Sequence, residues 1–411
     1  MTAEKILLCV LDGISDRPCP EFGYRTPLQA AHTPNLDTLA REGICGIMDT
    51  IAPGIRPGSD TAHLSLLGYP PERYYTGRGP LEAEGCGIHM ERGMIGFRVN
   101  YATIDDEGIV TDRRAGRISD TGALSRAIQE EVDLSSLGVE FVFRSGAGHR
   151  AALAFRGEGL GAAVSSNDPK KEGAILHRFE ALTSKPEDRK TAEALNDFAR
   201  QAGEILREQP LNQEREKRGD QPANMVLIRG AGQMGHYEPF NEKYGMKGSV
   251  IAAATLITGI GTVVGLTRVD VQGITGSANT NLEGKIRATI SELEKADFVL
   301  LNIKGADEAG HDGNAQKKKE FIEVIDQALA PLQDLENCLI AFCADHSTPC
   351  SVKDHSGDPV PLLIHGEGVR VDGVDRYDEI ACAGGGLHRI RGEYLMPVLL
   401  DLVNRSRKYG A

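Results

Sequence analysis

The stretch Phe298-Val299-Leu300-Leu301-Asn302-Ile303-Lys304-Gly305-Ala306-Asp307-Glu308-Ala309-Gly310-His311 passes from an apolar run to an acid and an imidazole. A short, nearly continuous apolar run of this kind suits a parallel strand covered on both faces. In open α/β sheets, ligands bind outside the carboxyl ends of the strands. The residues that follow each apolar run are therefore the informative ones. Residues 6–11 form a second run, and Asp12-Gly13 follows it. Residues 339–342 form a third, and Asp345-His346 lies just beyond. Three strand ends thus deliver carboxylate and imidazole to one edge of a sheet.

Outward from these runs, residues 225–228, 262–266 and 361–364 also read as strands. Helix-like segments lie between them. Residues 33–41 have Pro34 near the start and Gly43 just past the end, the usual asymmetry of helix termini. Residues 248–258 are apolar and alanine-rich, and read as a helix. Residues 315–329 carry Phe321, Ile322, Ile325 and Leu329 at helical spacing. Alternating strands and helices predict an α/β core with a mostly parallel sheet sandwiched by helices. From about 81 to 220 the pattern turns mixed and polar, with a charged helical stretch at 185–219. This reads as a second α/β domain inserted into a core made of residues 1–80 and 221–411.

Composition narrows the function. The 411 residues carry a formal net charge of −13, which argues against a nucleic-acid partner. No apolar run approaches the roughly 20 residues of a membrane span. The first apolar run is too short for a secretory signal, so a cytoplasmic protein is expected. Eight cysteines are present and none forms a C-x-x-C pair. They read as reduced thiols, several of them serving as small core residues.

Acidic and histidine ligands without thiolates suit divalent manganese, zinc, cobalt or magnesium. Asp345-His346 is the firmest pair, because adjacent ionisable groups directly after an apolar strand are costly unless used. Asp307 and His311 share a face if the segment is helical, although Gly310 is equally compatible with a loop. His355 sits in a polar loop and is either solvated or a further ligand. In Gly58-Ser59-Asp60, Ser59 falls at the start of a helix. There it is either a simple cap or a nucleophile beside a metal.

The set Asp12-Gly13, Gly58-Ser59-Asp60, Asp307-x-x-Gly-His311, Ala344-Asp345-His346-Ser347 and His355 resembles the metal-binding set of the alkaline phosphatase superfamily. Within it, Thr33-Pro34-Asn35-Leu36-Asp37, Gly77-Arg78-Gly79-Pro80-Leu81-Glu82 and Asp112-Arg113-Arg114-Ala115-Gly116-Arg117 resemble the archaeal-type cofactor-independent phosphoglycerate mutases. The resemblance spans essentially the whole chain. It implies two divalent ions, manganese foremost. Asp307, His311 and His355 would bind one, and Asp12, Ser59, Asp345 and His346 would face the other. It implies Ser59 as the nucleophile that takes and returns a phosphoryl group. Lys243, in Glu242-Lys243-Tyr244, resembles a lysine that contacts that group, and Arg229 resembles an arginine that holds phosphate. Arg113, Arg114, Arg117, His149, Arg150, Asn167 and Asp168 are then candidates for holding a glycerate, with the inserted domain closing as a lid to exclude water. A phosphomonoesterase or phosphopentomutase of the same superfamily, or a silent phospho-ligand-binding relative, is the alternative.

Overall fold

A computed structural model describes residues 3–410. The chain divides into two compact units. One runs to Tyr75 and resumes at Tyr237, and the other is Thr76–His236.

The first unit is built on an eight-stranded sheet. Its order is Thr267–Arg268, Gly248–Ile251, Phe298–Lys304, Lys5–Asp12, Cys338–Cys343, Val360–His365, Ile44–Asp49, His388–Arg391. Val360–His365 runs antiparallel to both neighbours, and every other pairing is parallel. The three central strands are those whose ends carry the chemistry. Their register sets Leu8 beside Leu300 on one side and Ala341 on the other, and ends with Asp12 beside Lys304. Leu7, Leu8, Leu300, Leu301, Leu339 and Ala341 are fully buried, as a sheet covered on both faces requires.

Local sequence explains the covering helices. Pro34–Arg41 has proline at its first position, where the missing N–H would have no helical partner anyway. Ala315–Leu329 turns Phe321, Ile322, Ile325 and Leu329 inward, and the Asn314 side chain caps its start. Ser59–Leu66 begins at Ser59, directly after Gly58.

Two expectations fail here. Residues 248–258 are not one helix: Gly248–Ile251 is a strand and the helix is Thr255–Val263. Residues 262–266 are not a strand but the end of that helix and the turn after it, and the short strand is Thr267–Arg268. An apolar run does not by itself distinguish a buried strand from a buried helix. The deciding contact is tertiary. A Cβ on Gly261 would lie 2.5 Å from Val250 Cγ1, so that glycine lets the helix pack down on the strand. The strand Ile44–Asp49 was not anticipated, because Gly46 interrupts its apolar pattern; a Cβ there would lie 2.7 Å from the carbonyl of His388.

The second unit has a six-stranded sheet. Its longest strand, Ile95–Ile104, pairs antiparallel with Arg150–Arg156 and with Met225–Gln233. The run 225–228, expected in the core, is therefore a strand of this unit. The 23-residue helix Pro186–Glu208 buries Leu195, Phe198, Ala202 and Leu206 in the cluster that contains Phe143 and Phe155. Among the described residues no helix is long and apolar enough to cross a membrane.

The parallel core makes one stability prediction. Phe298 is fully buried, with its ring 4.7 Å from that of Phe240. Phe298→Ala is expected to lower unfolding free energy by about 3–5 kcal/mol, through lost transfer energy and an unfilled cavity. Urea denaturation would measure this, and a loss under about 1 kcal/mol would show that the site collapses around the gap.

Candidate metal centre

Asp12, Asp307 and Asp345 lie beyond three adjacent strands and are buried to 1%, 3% and 0% exposure. Asp12 closes its strand. Asp307 is the second residue of the helix Ala306–Asp312, which also carries His311 one turn on. The i,i+4 spacing therefore acts on a helix, and His311 Nε2 lies 3.3 Å from Asp307 Oδ1. Two donor clusters result. One is Asp307, His311 and His355; the other is Asp12, Asp345 and His346. Ser59 joins the second, with Oγ 3.1 Å from His346 Nε2. All seven residues read from the sequence as metal-facing thus converge.

Two glycines make the convergence possible. Gly13 has φ +65°, and a Cβ there would lie 2.7 Å from Asp307 Cα and from Thr348 Oγ1. A Cβ on Gly310 would lie 2.3 Å from the Thr348 carbonyl. The helix that carries Asp307 and His311 can reach the other loops only without those side chains.

Each histidine of the two clusters has its Nδ1 committed. His311 Nδ1 donates to the Lys353 carbonyl at 3.1 Å, and His355 Nδ1 donates to the Pro57 carbonyl at 2.8 Å. Thr348 Oγ1 donates to Asp307 Oδ1 at 2.8 Å, so it accepts from His346 Nδ1 at 3.0 Å. Nε2 is then the nitrogen left facing the pocket on all three rings, the orientation that outer hydrogen bonds give to metal-binding imidazoles. Buried Asp345 Oδ2 faces two ring nitrogens, His346 Nε2 at 3.1 Å and His63 Nδ1 at 3.7 Å, and completes a well-aligned hydrogen bond with neither. An anionic oxygen left so in a dry pocket is costly without a cation. Both observations fit divalent metal ions.

Charge acts in the same direction. Burial and the facing Asp345 push Asp12 above the usual carboxylate range. Burial would also raise Asp307, but Lys304 and the His311 ring hold it well below that range. Burial opposes the charge on His346, yet Asp345, Asp307 and Asp12 together raise it. His311 is raised chiefly by Asp307. His355 is lowered, by burial and then by His346.

Several contributors escaped sequence reading. Lys304 reaches both Asp12, at 3.2 Å, and Asp307. Asn302 Nδ2 lies 3.3 Å from Asp12 Oδ2 and 3.3 Å from His63 Nε2. His63, one turn along the helix from Ser59, donates Nδ1 to the Ser59 carbonyl at 2.8 Å. The signals were available: Lys304 closes a strand, and His63 is four residues from Ser59.

The remaining candidates each have partners of their own. The Lys243 ammonium sits 5.1 Å from the Tyr69 ring centre and 5.4 Å from that of Tyr244, with Glu238 at 3.8 Å. In the second unit, Asp168 receives Arg113 at 2.7 Å and also Arg229. Burial opposes its charge, but Arg113, the Lys170 amide and Arg229 hold it below the ordinary value. Asn167 is spent on backbone: it accepts from the Ile228 amide at 2.7 Å and donates to the Val226 carbonyl at 3.0 Å. It braces the strand that bears Arg229. His149, half-buried, is pushed down to about 4 by burial and by Arg150, Arg114 and Arg98. Arg114, Arg117 and Arg150 are exposed.

A family model of the metalloenzyme superfamily matches residues 4–402. A 2,3-bisphosphoglycerate-independent phosphoglycerate mutase of Methanoculleus marisnigri is 65% identical over 411 residues, covering 100% of both chains. The chain belongs to that family. An Archaeoglobus fulgidus protein of the same name is 51% identical, covering 99% of this chain and 100% of its own. Among solved structures, a Pyrococcus horikoshii protein shares 37% identity and a TM-score of 0.85, with 100% of both chains covered. The cofactor-independent phosphoglycerate mutase of Thermoplasma acidophilum shares 38% and a TM-score of 0.69, with 98% and 100% covered. The chain is accordingly an isomerase that binds divalent metal.

The centre makes a pH prediction. His346 and His311 are both raised above the ordinary imidazole value, so protons compete with metal on their rings. Mn2+ affinity should therefore weaken as pH falls from about 8 to about 6, with protons released on binding. Titration calorimetry in buffers of different ionisation enthalpy checks both. A pH-independent affinity without proton release would exclude the imidazoles as ligands.

Proposed function

We propose that this chain interconverts 3-phosphoglycerate and 2-phosphoglycerate through a phosphoserine on Ser59, at a centre holding two divalent ions, manganese by preference. The observation that carries this reading is the position of Ser59. Its Oγ sits at the first residue of a helix, 3.1 Å from His346 Nε2 and on the Asp12–Asp345 cluster. A nucleophile needs activation and a neutralised target, and this hydroxyl stands where both are available. Asp307, His311 and His355 would hold one ion, and Asp12, Asp345, His346 and Ser59 the other. Bound there, the ions supply charge neutralisation on the phosphoryl oxygens and a lowered pKa for the serine hydroxyl.

The rest follows from the chain's own residues. Ser59 Oγ gives up its proton as it attacks phosphorus in line, and the 3-oxygen of the glycerate leaves and takes up a proton. The freed glycerate reorients. Its 2-hydroxyl then loses a proton, attacks the phosphoserine and restores Ser59, so no net proton is consumed. Lys304, between the two clusters, is a further cation beside the transferring group. The second unit offers Arg113, Arg229 and their neighbours as a cationic set for an anionic substrate, and Lys243 is the remaining cationic candidate. Water must be kept from the phosphoserine, which otherwise hydrolyses. A cytoplasmic setting accords with this small, soluble substrate.

The mutase reading is favoured over the phosphomonoesterase and phosphopentomutase readings by relatives of that name along the whole chain. Ser59→Ala should stay folded and lose turnover by roughly three orders of magnitude or more. Near-normal conversion of 3-phosphoglycerate by that variant would end the phosphoserine route. In the wild type, free phosphate accumulating in place of 2-phosphoglycerate would convert the reading to a phosphatase.

A further inference from the structure

Lys318 is fully buried, with none of its side chain exposed, and the chemistry above does not use it. Burying an ammonium costs several kcal/mol unless every proton is matched. Here three acceptors surround Nζ: the Ser15 carbonyl at 2.9 Å, Asp16 Oδ2 at 2.8 Å and the Thr348 carbonyl at 3.0 Å. Asp16 is equally enclosed and also accepts from the Cys350 amide at 3.1 Å. The lysine comes from the helix Ala315–Leu329, and its acceptors come from two other loops. One loop follows Asp12. The other follows Asp345 and His346. The same loops are already stitched directly, since the Thr348 amide donates to the Ser15 carbonyl at 3.1 Å.

Thr348 is where this knot meets the centre. Its carbonyl is held by Lys318, and its hydroxyl donates to Asp307 Oδ1 and accepts from His346 Nδ1. One side chain thereby orients a ligand of each cluster. We infer that Lys318 is a positioning residue of the metal centre, setting through Thr348 the orientation of Asp307 and His346. This rests on the metal reading given above. A buried hydrophobe of similar volume would serve stability as well or better, so stability alone gives no reason for a lysine here. Three carbonyl and carboxylate acceptors drawn to one ammonium fix a geometry that apolar packing would not.

Three proteins test it by titration calorimetry with Mn2+ at fixed pH: wild type, Lys318→Met and Thr348→Val. Outer hydrogen bonds to metal ligands typically set affinity by 10–100-fold. Both variants should therefore weaken at least one Mn2+ binding step by about tenfold or more. Because Lys318 acts through Thr348, the double variant should bind no more weakly than Thr348→Val alone. A Lys318→Met protein with a lower melting temperature but unchanged Mn2+ affinity would overturn the inference, leaving Lys318 a stabilising residue only. So would additive losses in the double variant. If Lys318→Met fails to fold, Thr348→Val decides, since it keeps the Lys318–Asp16 pair. Wild-type affinity in Thr348→Val then overturns the inference. A wild-type protein that binds no Mn2+ defeats the metal reading itself, and this inference with it.

Discussion

Three carboxylates buried side by side must be given cations or they will not stay ionised. That constraint governs the first unit. Asp12, Asp307 and Asp345 follow three neighbouring parallel strands, and a parallel register leaves them no room to diverge. The surrounding groups answer this repulsion in kind. Lys304 reaches Asp12 and Asp307, and imidazoles face Asp307 and Asp345. Divalent ions answer it more fully, because a dry pocket strengthens every such interaction. The electrostatic problem and the candidate metal centre are the same cluster of charge.

Holding that cluster at ligand distances is a steric problem as well. Gly13 and Gly310 remove the side chains that would keep the Asp307 helix away from the neighbouring loops. Thr348 then connects the two clusters through one hydroxyl. Each histidine is turned by a bond from Nδ1 to an oxygen outside the pocket. The donor atoms of the two clusters are therefore aimed at common points by the fold itself. Ser59 benefits from the same order, since His63 holds its carbonyl and Asn302 in turn meets His63.

The second unit solves a related problem with the opposite sign. Arg98 is pushed down to about 9 by burial and by its cationic neighbours Arg78, Arg229 and Arg150, with Glu82 opposing. Asp168 gathers Arg113 and Arg229, and Asn167 fixes the backbone beside them. Arg78 and Arg98 share Glu82, as Arg113 and Arg229 share Asp168.

The sequence by itself determined the α/β class, the convergence of Asp12, Asp307, Asp345 and His346, and the family resemblance. These were legible because strand ends in a parallel sheet share one edge, so a strand followed by an acid reports position directly. It also placed the helix 315–329, where the apolar residues recur at helical spacing. It misjudged 248–258 and 262–266, where apolar content is the same for strand and helix and only Gly261 against Val250 decides. Lys304 and His63 had positional signals, at a strand end and one helical turn from Ser59, whereas the roles of Asn302 and Thr348 depend on which neighbours they meet, not on residue type. The orientation of each imidazole, the link through Thr348 and the burial of Lys318 were decided by tertiary structure alone. Each is a relation between segments far apart in the chain, and a distance in space leaves no mark in local sequence.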